Sequence, residues 1–170
     1  DMEAEDIHTF IEGELTKRIG DNGKRLHPSR SRNDQVAVDI KLYLKKEVVN
    51  VKNLVVGLIK VIADKAEKYS ETVMPGYTHL QRAQPITFGH HLLANGEMLL
   101  RDVSRLEDCL KRMDEMPLGS CALAGTTYPI DRTITAELLG FDRITNISLD
   151  GVSDRDYCIE FASVLSIIMV

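Results

Sequence analysis

The sequence predicts an all-α protein, a bundle of unusually long helices. Two observations carry that prediction. Apolar residues recur at three- and four-residue steps along extended stretches, and the breaks between stretches fall at clusters of Gly, Pro, Asn and Asp. No region reads as strand-rich, and no internal repeat or low-complexity segment is present.

The elements follow in order. Ile7, Phe10, Ile11, Leu15 and Ile19 mark a first helix over about residues 3–19, which Gly20, Asp21, Asn22 and Gly23 stop. A loop over residues 24–32 precedes a second helix, which starts near Asn33 or Asp34, both good caps. Ile40, Leu44, Val48, Val51, Val55, Leu58 and Ile62 form its seam as far as Tyr69, a rod of roughly 50 Å. Pro75-Gly76 and Pro85 then punctuate a polar connection, read as a loop. A third helix runs from near Thr87 to before Pro117, with its seam at Phe88, Leu92, Leu99, Val103, Leu106, Leu110 and Met113. Gly89 and Gly96 weaken that helix, and close approach of a neighbouring backbone is the expected reason. A small-residue connection over 118–127 leads to a short helix over about 131–139, stopped by Gly140. In the last helix Ser153 and Asp156 form a capping-box-like start. From Ile159 to Val170 it is apolar nearly all round, so it should be buried on every side.

Composition narrows the function. At 170 residues and 44% hydrophobic, the chain is long and apolar enough for one domain with a sizeable core. A net charge of −5 supplies no overall basic field for nucleic acid or an anionic membrane. The three cysteines, Cys109, Cys121 and Cys158, stand at unrelated spacings, which suits a reducing cytoplasm better than a disulfide framework or a metal site. No apolar run is long enough to span a bilayer.

Two polar segments carry the chemistry. One is Leu26-His27-Pro28-Ser29-Arg30-Ser31-Arg32-Asn33-Asp34-Gln35; the other is Gly76-Tyr77-Thr78-His79-Leu80-Gln81-Arg82-Ala83-Gln84-Pro85. The second groups a histidine, a threonine hydroxyl, two amides and a guanidinium within seven residues, a set able to bind a carboxylate and move a proton near neutral pH. For the second, the alternative is an ordinary helix connection with a solvated histidine. Together the two segments resemble the argininosuccinate lyase branch of the fumarase/aspartase superfamily. The likeness continues through Pro117-Leu118-Gly119-Ser120, residues 122–132 and Ser153-Asp154-Arg155-Asp156, and so covers nearly the whole chain.

The resemblance implies a reversible β-elimination that splits argininosuccinate into fumarate and arginine, with no cofactor and no metal. Such a reaction removes a feebly acidic proton beside a carboxylate. It needs a base, fixed donors around that carboxylate, and an acid for the departing nitrogen. By the same likeness His79 is the catalytic histidine, either as the proton-transfer group or as the partner that sets the true base's state. Thr78 and Asn33 bind substrate through a hydroxyl and an amide, and Ser31 and Arg32 flank Asn33, Arg32 offering a carboxylate a bidentate fork. Gln81 and Gln84 are either orienting amides or structural. His90 and His91 point about 100° apart on a helix and cannot share a metal. His8 is either a support for the site or a helix-surface histidine, Cys109 reads as a bystander on a helix, and residues 154–156 as cap and ion-pair structure.

Two departures stand out. Pro28-Ser29 replaces the family's usual Thr followed by Gly or Ala, and Cys121 stands where a glycine is often found. If the usual glycine has positive φ, Ser29 is strained there. The chain begins at Asp1, ends at Val170 within an apolar run, and lacks the family's Gly-Ser-Ser-x-Met-Pro-x-Lys-x-Asn-Pro signature. Residues 1–170 are therefore expected to be one helical region, part of the central domain of a longer cytoplasmic lyase. That lyase is expected to assemble as a homotetramer with sites shared between subunits, and the fragment alone is expected to be inactive. The alternatives are another lyase of the superfamily (adenylosuccinate lyase, fumarase or aspartase) and a non-catalytic crystallin-like assembly protein.

Overall fold

The computed structural model describes residues 5–170, so the expected helix start near residue 3 lies outside the described residues. Helix α1 spans Ile7–Ile19. The Asp6 carboxylate caps it by accepting the Thr9 N–H at 2.8 Å, and Gly20 ends it at φ 67°. A 3-10 segment, Gly20–Leu26, follows. Helix α2 is Arg32–Lys68, 37 residues. Strands β1 (Val73–Thr78) and β2 (Gln81–Thr87) come next, then α3 (Phe88–Met113). The remainder is β3 (Glu115–Met116), α4 (Arg132–Leu139), β4 (Arg143–Ile144), α5 (Ser148–Ser153) and α6 (Asp156–Ile168). Strands β3 and β4 pair in parallel over two residues each. Among the described residues no helix is long and apolar enough to cross a membrane.

The chain divides into two compact units. The first combines residues up to Tyr43 with Asp114–Arg155. Its core is Val38, Met116, Ala136 and Phe141, packed by Leu42, Leu118, Leu139 and Ile144. Asp131 caps α4 by accepting the Thr133 N–H at 2.9 Å, and Gly140, the stop expected from the sequence, closes it in the left-handed conformation. Lys41 is buried in this unit, where its ammonium donates to the Glu115 carbonyl at 3.2 Å and faces Asp154 at 3.5 Å.

The second unit holds residues 44–113 and 156–170. Val48, Val55, Ala66, Leu106, Cys109, Met113, Tyr157, Phe161 and Val164 are buried in it. The seams read from the sequence supply four of these nine positions, Val48, Val55, Leu106 and Met113, and seam residue Leu58 is exposed. Cys109, read as a bystander on a helix, packs in the core of this unit, and burial pushes its thiol pKa up to about 11. Gly89 is needed for close packing: a Cβ there would lie 2.5 Å from the Ala66 carbonyl oxygen. Gly96 is not, since a Cβ would meet only Ile62 at an ordinary 3.6 Å.

Three expectations change. The connection after α2 is an antiparallel hairpin, β1–β2, not an irregular loop. Ser153 does not cap α6; its hydroxyl donates to the Leu149 carbonyl at 2.8 Å and so belongs to α5, a helix the sequence reading missed. Helix α6 is not buried on every side: Tyr157, Phe161 and Val164 are covered, while Ile159 and Ile167 are exposed. Its neighbour in the unit is α3, with Arg112 paired to Glu160, and one neighbouring helix covers one face.

Candidate functional site

In the first unit, helix α2 begins one residue earlier than expected, with Ser31 as its cap. The Ser31 hydroxyl accepts the Asn33 N–H at 3.2 Å, while the Asp34 carboxylate reaches back to the Ser31 N–H at 2.9 Å. This reciprocal pair is a capping box, with Asp in the place of the usual Glu. Asp34 is fully buried, and its second oxygen accepts the N–H groups of Gly119 at 3.1 Å and Cys121 at 2.8 Å. Arg132 braces the same loop from behind. It donates to the carbonyls of Leu118 at 2.8 Å, Thr145 at 3.0 Å and Met116 at 3.3 Å. Burial lowers the Arg132 guanidinium's pKa, and the Asp34 charge opposes that effect.

The two departures from the family pattern meet in this cluster. Ser29 has φ 64° and Cys121 has φ 53°, both in the left-handed region that favours glycine. The Cys121 thiol donates to the Ser29 carbonyl at 3.2 Å. Burial raises the Cys121 pKa, so the thiol is the form present near neutrality.

Of the expected binding groups, Asn33 is exposed, and one N–H of its amide donates to the Ala122 carbonyl at 2.9 Å. A primary amide keeps a second N–H and its carbonyl oxygen for a ligand. Arg32 is engaged within the chain: Nε meets the Asp6 carboxylate at 2.9 Å and a terminal nitrogen donates to the Thr9 hydroxyl at 2.7 Å. Arg30 and His27 both meet Glu12, at 3.0 and 2.8 Å.

In the second unit, the register of the hairpin pairs Thr78 with Gln81, which leaves His79 and Leu80 as the two turn residues. Both have positive φ, 50° and 61°, as a type I′ turn requires. Neither is glycine, so the turn is strained, a feature that concentrates at functional sites. Pro75 and Gly76 sit beside a bulge in β1, and a Cβ on Gly76 would lie 2.8 Å from the Gln84 carbonyl. His79 and Gln81 are exposed, and Leu80 is 98% exposed. A cavity of about 450 Å³ runs along the hairpin, lined among others by Tyr77, Thr78, Gln84, His90 and His91; His79 stands outside its lining. The base of the hairpin is fastened where Phe88 donates to Thr72 at 2.8 Å and Gly89 to Tyr69 at 3.1 Å.

Ser31, Arg32 and Asn33 thus stand together in the first unit, and Thr78, His79 and Gln81 together in the second. The sequence reading missed the supporting groups. Asp34 was readable as more than a cap, because it lies three residues after Ser31, the capping-box spacing. Lys41 and Arg132 gave no local signal, since their partners are remote in sequence: backbone carbonyls for both and the Asp154 carboxylate for Lys41.

The comparisons with known proteins agree with one another. A lyase family model matches residues 1–170. The argininosuccinate lyase of Desulforamulus reducens is 58% identical over 170 residues, covering all of this chain and 37% of the relative. That of Ruthia magnifica is 63% identical over 166 residues, covering 98% of this chain and 35% of the relative. The chain thus spans little more than a third of the length of these curated relatives. The crystal structure of an EDDS lyase in complex with formate superposes with a TM-score of 0.89 at 34% identity, over 94% of this chain and 32% of that one. With two signature segments in place, a family match along its whole length and this superposition, the chain belongs to the lyase family, within the fumarase/aspartase superfamily.

Proposed function

We propose that this chain forms part of an argininosuccinate lyase and supplies two of its substrate-binding segments. The reaction is the reversible β-elimination of argininosuccinate to fumarate and arginine. The observation that carries this reading is the 58–63% identity to argininosuccinate lyases along essentially the whole chain, both polar segments included.

The geometry supports a division of labour. Thr78, beside the strained turn, offers a hydroxyl to a substrate carboxylate. The free N–H of Asn33 offers a second donor, so charge that develops on the carboxylate as the proton leaves is met by fixed dipoles. His79, at an exposed tip, takes or relays the proton. Gln81, paired with Thr78 across the turn, orients the threonine or a substrate oxygen. Ser31 and Arg32 act by holding the start of α2, since their side-chain atoms meet chain partners.

The site is completed by further copies of the chain, in a homotetramer. Leu54 and Leu58 on α2, and Leu93 and Leu100 on α3, are at least half exposed, and such apolar stretches favour association. Asn33 stands at the start of the 37-residue helix α2 and the His79 segment follows its end, which suits their use in sites built from different subunits.

The test is a fumarate-absorbance assay on the full-length parent and, separately, on residues 1–170. The parent is expected to turn over argininosuccinate, and the 170-residue chain to release none. A folded parent inert towards argininosuccinate but active on another fumarate-forming substrate would move the reading to a sister lyase. A parent inert towards all of them would leave an assembly protein.

A further inference from the structure

We infer that Asp34 is a positioning residue for the lyase site, one that sets the Asn33 amide by clamping the 119–122 loop onto the start of α2. This rests on the function proposed above.

The inference comes from what the carboxylate does beyond capping. A capping-box acid at the third helical position needs only the cap residue's N–H, and it normally sits at the surface. Asp34 is 0% exposed, and it spends its second oxygen on Gly119 and Cys121, 85 and 87 residues away in sequence. Three N–H groups converge on two oxygens, an arrangement that suits a carboxylate and not an amide. The residue after Cys121 is Ala122, whose carbonyl holds the Asn33 side chain at 2.9 Å. The path from Asp34 to the Asn33 amide is therefore one loop residue long.

Two features show that the loop is forced into this shape. Cys121 is held at φ 53°, a conformation a non-glycine residue keeps only when its surroundings over-determine it. Gly119 is at φ 89°, and a Cβ there would lie 2.8 Å from the Arg132 side chain, so Arg132 closes the far side of the clamp. Removing the carboxylate releases Cys121 from its short N–H contact and frees the Ala122 carbonyl to drift. The Asn33 amide then loses the hydrogen bond that fixes its rotamer.

The experiment uses the full-length parent with Asp34→Asn, Asp34→Glu, Asn33→Ala and the Asn33→Ala/Asp34→Asn double variant. Amide hydrogen exchange is followed at residues 118–122 and in α3. Selective 15N-asparagine labelling follows the Asn33 side chain, and kcat/KM for argininosuccinate is measured. With Asp34→Asn, exchange is expected to rise at Gly119 and Cys121 and stay unchanged in α3, and the Asn33 side-chain signal to shift. kcat/KM is expected to fall at least tenfold in Asp34→Asn, yet less than threefold further when Asp34→Asn is added to Asn33→Ala. Unchanged loop protection, an unchanged Asn33 signal, or fold-losses that multiply in full in the double variant would each overturn the proposal. Should Asp34→Asn fail to fold, Asp34→Glu, which keeps the charge but displaces it by one methylene, is read by the same exchange and NMR criteria. A wild-type parent inert towards argininosuccinate would remove the proposed function, while exchange and the Asn33 signal would still decide the clamp.

Discussion

The two polar segments are built on opposite plans. The segment around Asn33 is tied down by many partners: Ser31 to Asn33, Asp34 to Ser31, Gly119 and Cys121, Arg32 to Asp6 and Thr9, Arg132 to three carbonyls. The hairpin around His79 is fastened at its base by backbone hydrogen bonds, and its tip is exposed with both turn residues at positive φ. The difference teaches that, if the roles proposed above hold, a fixed donor and a proton-transfer group are supported in separate ways. The Asn33 amide is held by a partner from its own unit, whereas His79 is presented on a short two-residue turn.

The comparison predicts opposite signatures for mutations in the two regions. The largest effect on turnover belongs to the hairpin. His79→Asn in the full-length parent is expected to cost ~10²–10⁴-fold in kcat, the usual loss for one proton-transfer group, with helical circular dichroism retained. Near-wild-type turnover would assign the turn to structure. The largest effect on stability belongs to the other region. Arg132→Lys keeps the charge but not the fork, and buried carbonyls lose their donors. It is expected to destabilise by on the order of 3 kcal/mol, read from the urea midpoint. A change within error would mean that water replaces the guanidinium there. The smallest effect tests the strain itself: Ser29→Gly relieves φ 64° but adds unfolded-state entropy, so a gain of roughly 0.5 kcal/mol at most is expected by the same measurement. A loss would show that the Ser29 side chain contributes more than its backbone strain removes.

How much of this was legible in the sequence depended on whether a residue's partners were near it in the chain. The short helix over about 131–139, its stop at Gly140 and the start of α3 near Thr87 rest on local signals, and the structure reproduces them. The strained backbone at Ser29 and Cys121 was visible as side chains standing where glycine is usual. The hairpin was hidden because Pro75, Gly76 and Pro85 read as loop punctuation, and its mostly exposed strands lack the two-residue apolar alternation that signals a half-buried strand. Helix α5 was hidden by Gly151, which fits tightly against Ser120 and Thr145 for reasons no short window contains. The apolar faces of α1 and α6 were read correctly as apolar, yet Phe10, Ile11 and Ile159 are exposed, because burial depends on neighbours that periodicity cannot supply.

The central claim is that the tied-down Asn33 segment and the presented His79 hairpin serve one reaction, in sites shared between subunits. Subunit mixing tests it most directly. Full-length Asn33→Ala and His79→Asn parents, each inactive alone, are combined under conditions where subunit exchange is verified by mass spectrometry, and fumarate release from argininosuccinate is followed. The account predicts that activity returns in the mixture, because some sites then receive both wild-type segments from different chains. Verified mixed assemblies that never regain turnover, or a parent that sediments as a monomer, would contradict it.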